Sequence, residues 1–212
     1  MTDKHTLSSR LLRATRTLAL AAAAAGTLGG CAAVVIGAAA GTALVVVDRR
    51  TAGVQLEDQN IELKSLTRVR EVLGERGHVN VTSFNRMALI TGEVPAEADR
   101  TAVEQAVARI ENVRSTVNDL AVMGPSSLTA RSNDTILTSK VKATYVDAKD
   151  LQATAVKVVT ERGTVYLLGR VTEREASRAV ELARGISGVQ KVVRVFEVLT
   201  EAELATLGDQ RK

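Results

Sequence analysis

The sequence has almost none of the residue types that build metal sites, disulfide frameworks and aromatic binding platforms. Its 212 residues include one cysteine, two histidines and no tryptophan. A single thiol excludes a disulfide framework, and so few Cys and His side chains exclude a zinc or iron–sulfur cluster. The aromatic residues are Phe84, Phe196, Tyr145 and Tyr166. Stacking platforms for bases or sugars are therefore excluded, and the core must consist of aliphatic side chains.

Motifs of catalytic chemistry are also absent from the sequence. It contains no Gly-x-Ser-x-Gly stretch, no phosphate-binding loop and no dinucleotide fingerprint. His78 lies in a polar turn before a predicted strand, where a histidine is usually a surface residue rather than a ligand or a base. We therefore predict a protein that is not an enzyme and that holds no metal and no cofactor.

The lone cysteine, Cys31, ends a short apolar segment that follows a basic N-terminal region. A basic region, an apolar stretch and small residues at the cleavage point together form a secretory signal. The stretch Leu28-Gly29-Gly30-Cys31 resembles the lipobox of bacterial lipoproteins, in which the cysteine thiol is acylated and the signal is removed. The resemblance implies that residues 1–30 are a signal peptide. It also implies that Cys31, carrying fatty acid such as palmitate, begins a Gly/Ala-rich tether over residues 31–58.

The apolar stretch continues past the cysteine, which leaves one alternative open. A single uncleaved segment from Leu18 to Val47 is long enough to cross a bilayer, with its arginine-rich end in the cytoplasm. Against this, Ala and Gly dominate the segment and no aromatic residue flanks it. Without residues 1–30 the chain carries 24 basic and 23 acidic side chains. This near-neutral balance does not favour binding to nucleic acid.

The rest of the chain repeats itself. Residues 84–94 and 160–171 share the order turn, apolar strand, Gly, charged residue, Val. The distance from Gly92 to Val113 is 21 residues and that from Gly169 to Val189 is 20, which indicates a duplication. The repeat predicts two small domains, one at residues 59–123 and the other at residues 134–199. Residues 124–133 form the linker between them, and residues 200–212 form a C-terminal tail.

Each repeat has the element order helix, strand, strand, helix, strand. In the second repeat, Asn133–Asp134 is predicted to cap a helix over residues 135–146. Thr172 and Glu175 match a capping box at the start of the second helix, which is predicted to end at Gly185. The first repeat has matching elements at residues 61–73, 79–82, 88–94, 96–110 and 117–122. We therefore predict an α+β fold of two αββαβ modules, each a three-stranded mixed sheet packed against two helices.

The apolar positions of these elements predict two separately closed cores. In the second domain the residues predicted to be buried are Leu137, Val141, Val156, Val158, Val165, Leu167, Val180, Val193 and Val195.

Two αββαβ repeats behind a lipobox resemble the dual BON-domain lipoproteins of Gram-negative bacteria. Three stretches carry the likeness: residues 48–55, residues 132–135 with Lys140-Val141, and residues 169–176 with their Val-Thr-Glu-Arg-Glu-Ala sequence. The resemblance implies a lipid-anchored outer-membrane protein on the periplasmic face that helps to maintain envelope integrity. It also implies modules that bind anionic phospholipid, including at sites of division, through the first helix of the second domain.

The distribution of charged residues between the two domains is independent evidence on which domain binds lipid. Residues 134–199 carry 11 basic and 8 acidic side chains, whereas residues 59–123 carry 8 and 9. The basic surplus therefore lies in the second domain, where a Lys beside an Ile on a free helix face suits anionic headgroups. The predicted lipid-contacting residues are Thr135, Ile136, Ser139, Lys140 and Ala143. An ordinary solvated helix face is the alternative interpretation.

The predicted partner is thus a membrane of anionic phospholipid, with no role for nucleic acid. The alternative function is an adaptor that binds other envelope proteins, or a regulator of envelope or cell-wall enzymes. Binding of the domain to anionic vesicles without its acyl chain distinguishes the two.

Overall fold

The computed structural model describes residues 48–209. The predicted signal peptide, the acylated Cys31, most of the tether and the last residues of the tail lie outside this range. The alternative of a membrane span from Leu18 to Val47 lies outside it as well. Within residues 48–209, no helix combines the length and the apolar character that crossing a membrane requires.

The described chain forms two domains with the same element order. The first consists of α1 (Ala52–Leu73), β1 (His78–Phe84), β2 (Met87–Val94), α2 (Glu97–Ala108) and β3 (Ser115–Val122). The second consists of α3 (Leu128–Asp147), β4 (Val156–Glu161), β5 (Thr164–Thr172), α4 (Glu173–Arg184) and β6 (Lys191–Leu199), and α5 (Glu201–Asp209) follows it. In each sheet the central strand, β2 or β5, pairs antiparallel with the preceding strand and parallel with the last. The predicted α+β fold with two mixed sheets is confirmed.

Each domain packs its helices against one face of its sheet. In β5, Val165, Leu167 and Val171 point into the helix-covered core, because alternate residues of a strand face the same side. The corresponding core of the first domain includes Ile61, Ile90 and Val103. All but one of the residues predicted for the second core are buried; Val193 is half-buried. The placement of Val193 and Val195 in this core is wrong, because both lie on the opposite face of the sheet in a different apolar cluster.

The prediction of two separate cores is wrong, because the two domains share a third apolar cluster. It joins Phe84 and Leu89 of the first domain to Tyr166, Leu168 and Val195 of the second. The opposite faces of the two sheets therefore pack on each other, and the order of layers is helices, sheet, sheet, helices. β2 and β5 are buried on both faces, so their apolar residues run continuously and do not show which face meets the other domain.

Several elements are longer than the sequence pattern indicates. Helix α1 begins at Ala52, with Thr51 as its cap, so residues 52–58 of the predicted tether are helical. Helix α3 begins at Leu128, within the predicted linker. Helix α5 lies in the predicted tail. These added turns have few buried residues, and a helix without a buried face has no apolar period to reveal it.

The predicted capping role of Asn133–Asp134 is also wrong, because both residues lie inside α3 and Ser127 is its cap. Asp134 lies inside α3 and is buried, and its carboxylate accepts hydrogen bonds from the amides of residues 162–163, both at 2.8 Å. In the first domain Asp58 accepts bonds from the amides of residues 85–86 at 2.8 and 2.7 Å. A buried aspartate thus fastens the first helix of each domain to the hairpin turn of the same domain.

The capping box at the start of α4 is confirmed. Thr172 Oγ1 accepts a hydrogen bond from the Glu175 amide at 3.4 Å, and Glu175 Oε2 accepts one from the Thr172 amide at 3.0 Å. The helix ends at Arg184, directly before Gly185, as predicted.

Candidate membrane-binding face and domain interface

The five residues predicted to contact lipid lie on the exposed side of α3. Thr135, Ile136, Ser139, Lys140 and Ala143 are all exposed, and Ile136 leaves 52% of its surface accessible. The opposite side of the helix is buried in the core of the second domain. The structure therefore brings these residues to one free surface, and their contact with lipid stays a prediction.

Four hydroxyl groups of this helix, including Thr135 and Ser139 on the exposed face, donate hydrogen bonds within the helix itself. Ser132, Thr135, Ser139 and Thr144 each donate to the carbonyl four residues earlier, at 2.9 to 3.1 Å. A polar group that already has a hydrogen-bond partner costs less to remove from water than one without. This face of α3 therefore enters a dehydrated headgroup region at a lower cost than its serine and threonine content suggests.

Positive charge borders the same face. Lys140 and Lys142 are both exposed, and among residues 48–209 neither ammonium group forms an ion pair. By contrast, Lys64 of α1 pairs with Glu111, and Lys157 of β4 pairs with Glu62. The two unpaired lysines therefore leave a local positive potential on α3 that an anionic surface neutralises.

An exposed row of leucines on α1 was missed by sequence reasoning. Leu56, Leu63 and Leu66 are each more than half exposed. Leu63 and Leu66 line a shallow groove of about 460 Å³ beside Val81 of β1. The apolar residues of a helix are normally its core face, so only the packing revealed that these leucines face solvent.

Polar contacts hold the two sheets together around the shared apolar cluster. Arg162 reaches from the hairpin of the second domain to the carbonyl of Gly92 at 2.6 Å and to Glu93, which is fully buried. Tyr166 donates its hydroxyl to Asp119 at 2.6 Å. Burial and this carboxylate raise the pKa of Tyr166 above its usual range. The hydroxyl therefore stays protonated, and the bond persists, at neutral pH.

A second set of polar contacts involves Arg49, whose role sequence reasoning also missed. Its guanidinium makes two hydrogen bonds to Glu175, both at 2.7 Å, and the two side chains are only 4% and 6% exposed. It also donates to the Arg170 carbonyl at 2.8 Å and to Gln152 at 2.9 Å. The hydrogen bond from Arg49 is the main cause that lowers the pKa of Glu175, so the pair is ionised at neutral pH.

The next residue, Arg50, binds the first domain instead. It donates to Asp58 at 2.7 Å and forms a further ion pair with Asp48. Its guanidinium lies over the ring of Phe84, 4.2 Å from the centroid, in a cation–π contact. Phe84 belongs to the shared apolar cluster, so the segment 48–50 touches both domains where they meet.

The described part of the chain does not bring metal-binding side chains together. Residues 48–209 contain no group of three or more His, Cys, Asp or Glu side chains placed to hold a metal ion. His78 is half-buried at the start of β1, and its Nδ1 atom is buried without a hydrogen-bond partner.

Comparisons with known proteins agree with this architecture. The sequence pattern of the BON domain matches residues 58–124 and 133–200. The chain is 38% identical, over 81% of its length and 90% of the relative, to the outer membrane lipoprotein DolP of Haemophilus influenzae. It is 30% identical to a 21 kDa hemolysin of Actinobacillus pleuropneumoniae, over 71% of the chain and 78% of that protein. The osmotically-inducible protein Y of Escherichia coli is 35% identical over 43% of the chain and 48% of its own length.

Proposed function

The chain belongs to the BON-domain family, and from this premise we propose that it is a lipid-anchored outer-membrane protein that binds anionic phospholipid through α3. It faces the periplasm and helps to maintain the integrity of the outer membrane, including at sites of division. The observation that carries the proposal is the exposed face of α3. It combines an isoleucine, hydroxyl groups that are already hydrogen-bonded within the helix, and lysines without an ion-pair partner. The name of the Haemophilus influenzae relative, an outer membrane lipoprotein, supports the location.

The physical mechanism combines weak contacts with tethering. A lysine near an anionic bilayer contributes about 1 kcal/mol, and an apolar side chain adds burial energy at the headgroup boundary. These contributions are small, but an acyl anchor keeps the domain close to the bilayer. Binding then becomes intramolecular and depends on effective concentration rather than on bulk affinity. Modest affinity at α3 is therefore sufficient to orient the protein on the membrane.

Cys31 provides the first test of this proposal. We expect Cys31→Ala to abolish acylation, because no other thiol in the chain can accept the lipid. The variant should leave the membrane fraction or stay unprocessed, and the mass of the parent should correspond to an acylated chain that lacks residues 1–30. Intact-mass spectrometry of the membrane-extracted protein measures both. An unmodified, full-length parent in membranes contradicts the prediction.

Vesicle binding of the chain without its acyl group tests the lipid-binding face. Lys140→Glu should weaken binding to phosphatidylglycerol vesicles mainly at low salt, because exposed charges are screened within about 10 Å at 0.1 M ionic strength. Ile136→Asp should weaken binding at every salt concentration, because burial of apolar area does not depend on charge. Neither change should lower the melting temperature, since both side chains are exposed.

Matched controls separate a local effect from a change in net charge. Lys191→Glu changes the same charge in the same domain, at an exposed position outside α3, and should retain binding. Leu63→Asp introduces a carboxylate at an exposed apolar position of α1 and should also retain it. If Lys140→Glu and Ile136→Asp bind like the parent while folded, the lipid face lies elsewhere. Equal binding to phosphatidylcholine vesicles argues against a preference for anionic lipid.

The exposed leucines of α1 favour a second candidate function, an adaptor for envelope proteins. Leu56, Leu63 and Leu66 form an apolar row in the first domain, whose charge does not favour anionic lipid. Clustered exposed apolar residues usually mark an interaction surface. If Leu63→Asp keeps vesicle binding but impairs outer-membrane integrity in cells, measured as detergent sensitivity, the adaptor function is supported. Loss of both properties in Ile136→Asp supports the lipid-binding function instead.

A further inference from the structure

The covalent linker joins the two domains at one end of their interface. Strand β3 ends at Val122, which pairs with Val94 at the end of β2, and α3 begins shortly afterwards, at Leu128. The turn that contains Arg162 meets Gly92 at this same end. The opposite end of β2, at Met87, is seven residues from Val94, or roughly 23 Å at 3.3 Å per residue. The other end has no covalent connection and is held only by noncovalent contacts, among them those of Lys157 with Glu62 and the Ser83 carbonyl.

The segment 48–50 occupies that other end. Arg50 covers Phe84, which pairs with Met87 at the tip of the first hairpin. Arg49 binds the end of β5 and the first turn of α4 in the second domain. Two adjacent residues thus hold different domains. Their Cα atoms are about 3.8 Å apart, so the two attachment points stay within the reach of two arginine side chains.

We propose that Arg49 and Arg50 form a clamp that closes the domain interface opposite the linker, and that Arg49 is a positioning residue for the membrane contact of α3. The membrane part of this inference rests on the proposed function, whereas the closure does not. The clamp lies fewer than twenty residues after Cys31. The anchored end of the chain therefore enters the structure at a point held by both domains, and the orientation of α3 relative to that point is set.

The burial of the Arg49–Glu175 pair gives the clamp its strength. Both charges are removed from water, and the other two Nη donors of Arg49 are used by the Arg170 carbonyl and Gln152. Removing one partner of such a pair leaves a buried charge uncompensated, and the structure relieves this by opening to water. Arg194 also makes two hydrogen bonds to a carboxylate, from its Nη2 atom to both oxygens of Glu173 at 2.8 and 2.7 Å. That pair is 44% and 63% exposed and lies within the second domain, which makes it a matched control.

Carbodiimide coupling of lysine to carboxylate measures closure directly in the full-length protein. Across the interface, Lys157 Nζ lies 2.9 Å from Glu62 Oε1. Within the first domain, Lys64 Nζ lies 3.3 Å from Glu111 Oε2, and this pair serves as the reference in the same sample. Peptide mass spectrometry gives the ratio of the two crosslinks. Unfolding of the whole chain lowers both crosslinks, whereas hinge opening lowers only the first. An unchanged circular dichroism spectrum excludes separate unfolding of the second domain.

We expect Arg49→Ala to lower the ratio of the Lys157–Glu62 crosslink to the reference several-fold, and Arg194→Ala to leave it unchanged. Arg49→Lys keeps the charge but cannot form the two-bond contact, so it should give an intermediate ratio. If Arg49→Ala does not fold, the crosslink ratio of Arg49→Lys tests the clamp in its place. An unchanged ratio in a folded Arg49→Ala or, failing that, in Arg49→Lys overturns the clamp.

A second readout tests positioning on the membrane. The acylated protein, carrying an environment-sensitive fluorophore on Ala143→Cys, is reconstituted in phosphatidylglycerol vesicles. The parent should show a blue shift on membrane contact, and Arg49→Lys should reduce it while Arg194→Lys does not. A reduced crosslink ratio with an unchanged shift overturns the positioning role and supports closure alone. No shift in the parent contradicts the proposed function, and the crosslink ratio then decides the clamp by itself.

Discussion

Alanine at position 92 is expected to unfold the first domain. Gly92 has a φ of +118°, which side-chain-bearing residues rarely adopt, and a Cβ atom there would lie 2.0 Å from the carbonyl oxygen of His78. That oxygen belongs to the backbone of the neighbouring strand, whose residue Val79 pairs with Gly92, so it cannot rotate away. The overlap forces β1 and β2 apart. The carbonyl of Gly92 also accepts a bond from Arg162, so the domain interface is distorted as well.

The expected magnitude of this change is several kcal/mol. An unfavourable backbone conformation alone costs about 1–3 kcal/mol, and separation of a central strand pair adds to that cost. Natural domains have only about 5–15 kcal/mol of stability in total. Thermal unfolding followed by circular dichroism measures the loss. Gly124→Ala is the control, because a Cβ atom at that position meets nothing within 4 Å. Equal melting temperatures for Gly92→Ala and the parent contradict the expectation.

Leu167→Ala should be the most damaging truncation in the core of the second domain. Leu167 lies on the central strand β5, is fully buried and belongs to the cluster under α3 and α4. Loss of a buried leucine side chain costs about 2–5 kcal/mol through lost transfer energy and the cavity that it leaves. Because both neighbouring strands are hydrogen-bonded to β5, the backbone has little freedom to collapse into the cavity. We therefore expect a value in the upper half of that range.

Urea unfolding measures the loss of stability in Leu167→Ala. Leu128→Ala is the control, because it removes the same side-chain atoms at an exposed position. Leu128, in the first turn of α3, is 79% exposed. Its replacement should change the free energy of unfolding by about 0.5 kcal/mol or less. If the two variants have the same midpoint, the assigned packing of β5 is incorrect.

Local signals account for what was predicted correctly. The capping box at Thr172 and Glu175 is formed by residues three apart, so its chemistry is visible in the sequence. Strand periods, turn residues and the spacing of Gly92 and Gly169 are local in the same way, and they determined the αββαβ order. The two BON domains are confirmed for that reason.

Long-range partners account for what was missed. Asp134 resembled a helix cap because its true partners, the amides of residues 162–163, are distant in sequence. Arg49 and Glu175 are 126 residues apart, and no local pattern pairs one arginine with one glutamate among many. The residues proposed for lipid contact required only a helical face, so sequence reasoning was able to nominate them. Their exposure became known only from the packing of α3.

The sequence by itself determined the fold of each domain and its duplication, because these depend on interactions between residues close along the chain. The tertiary structure alone decided how the domains combine. Leu89 and Tyr166 are apolar on strands that are buried on both faces. Only packing assigns them to the shared cluster rather than to a separate core. The tertiary structure alone also decided the Arg49–Glu175 pair of the clamp. Such a pair is buried only because the folded chain excludes water from both charges.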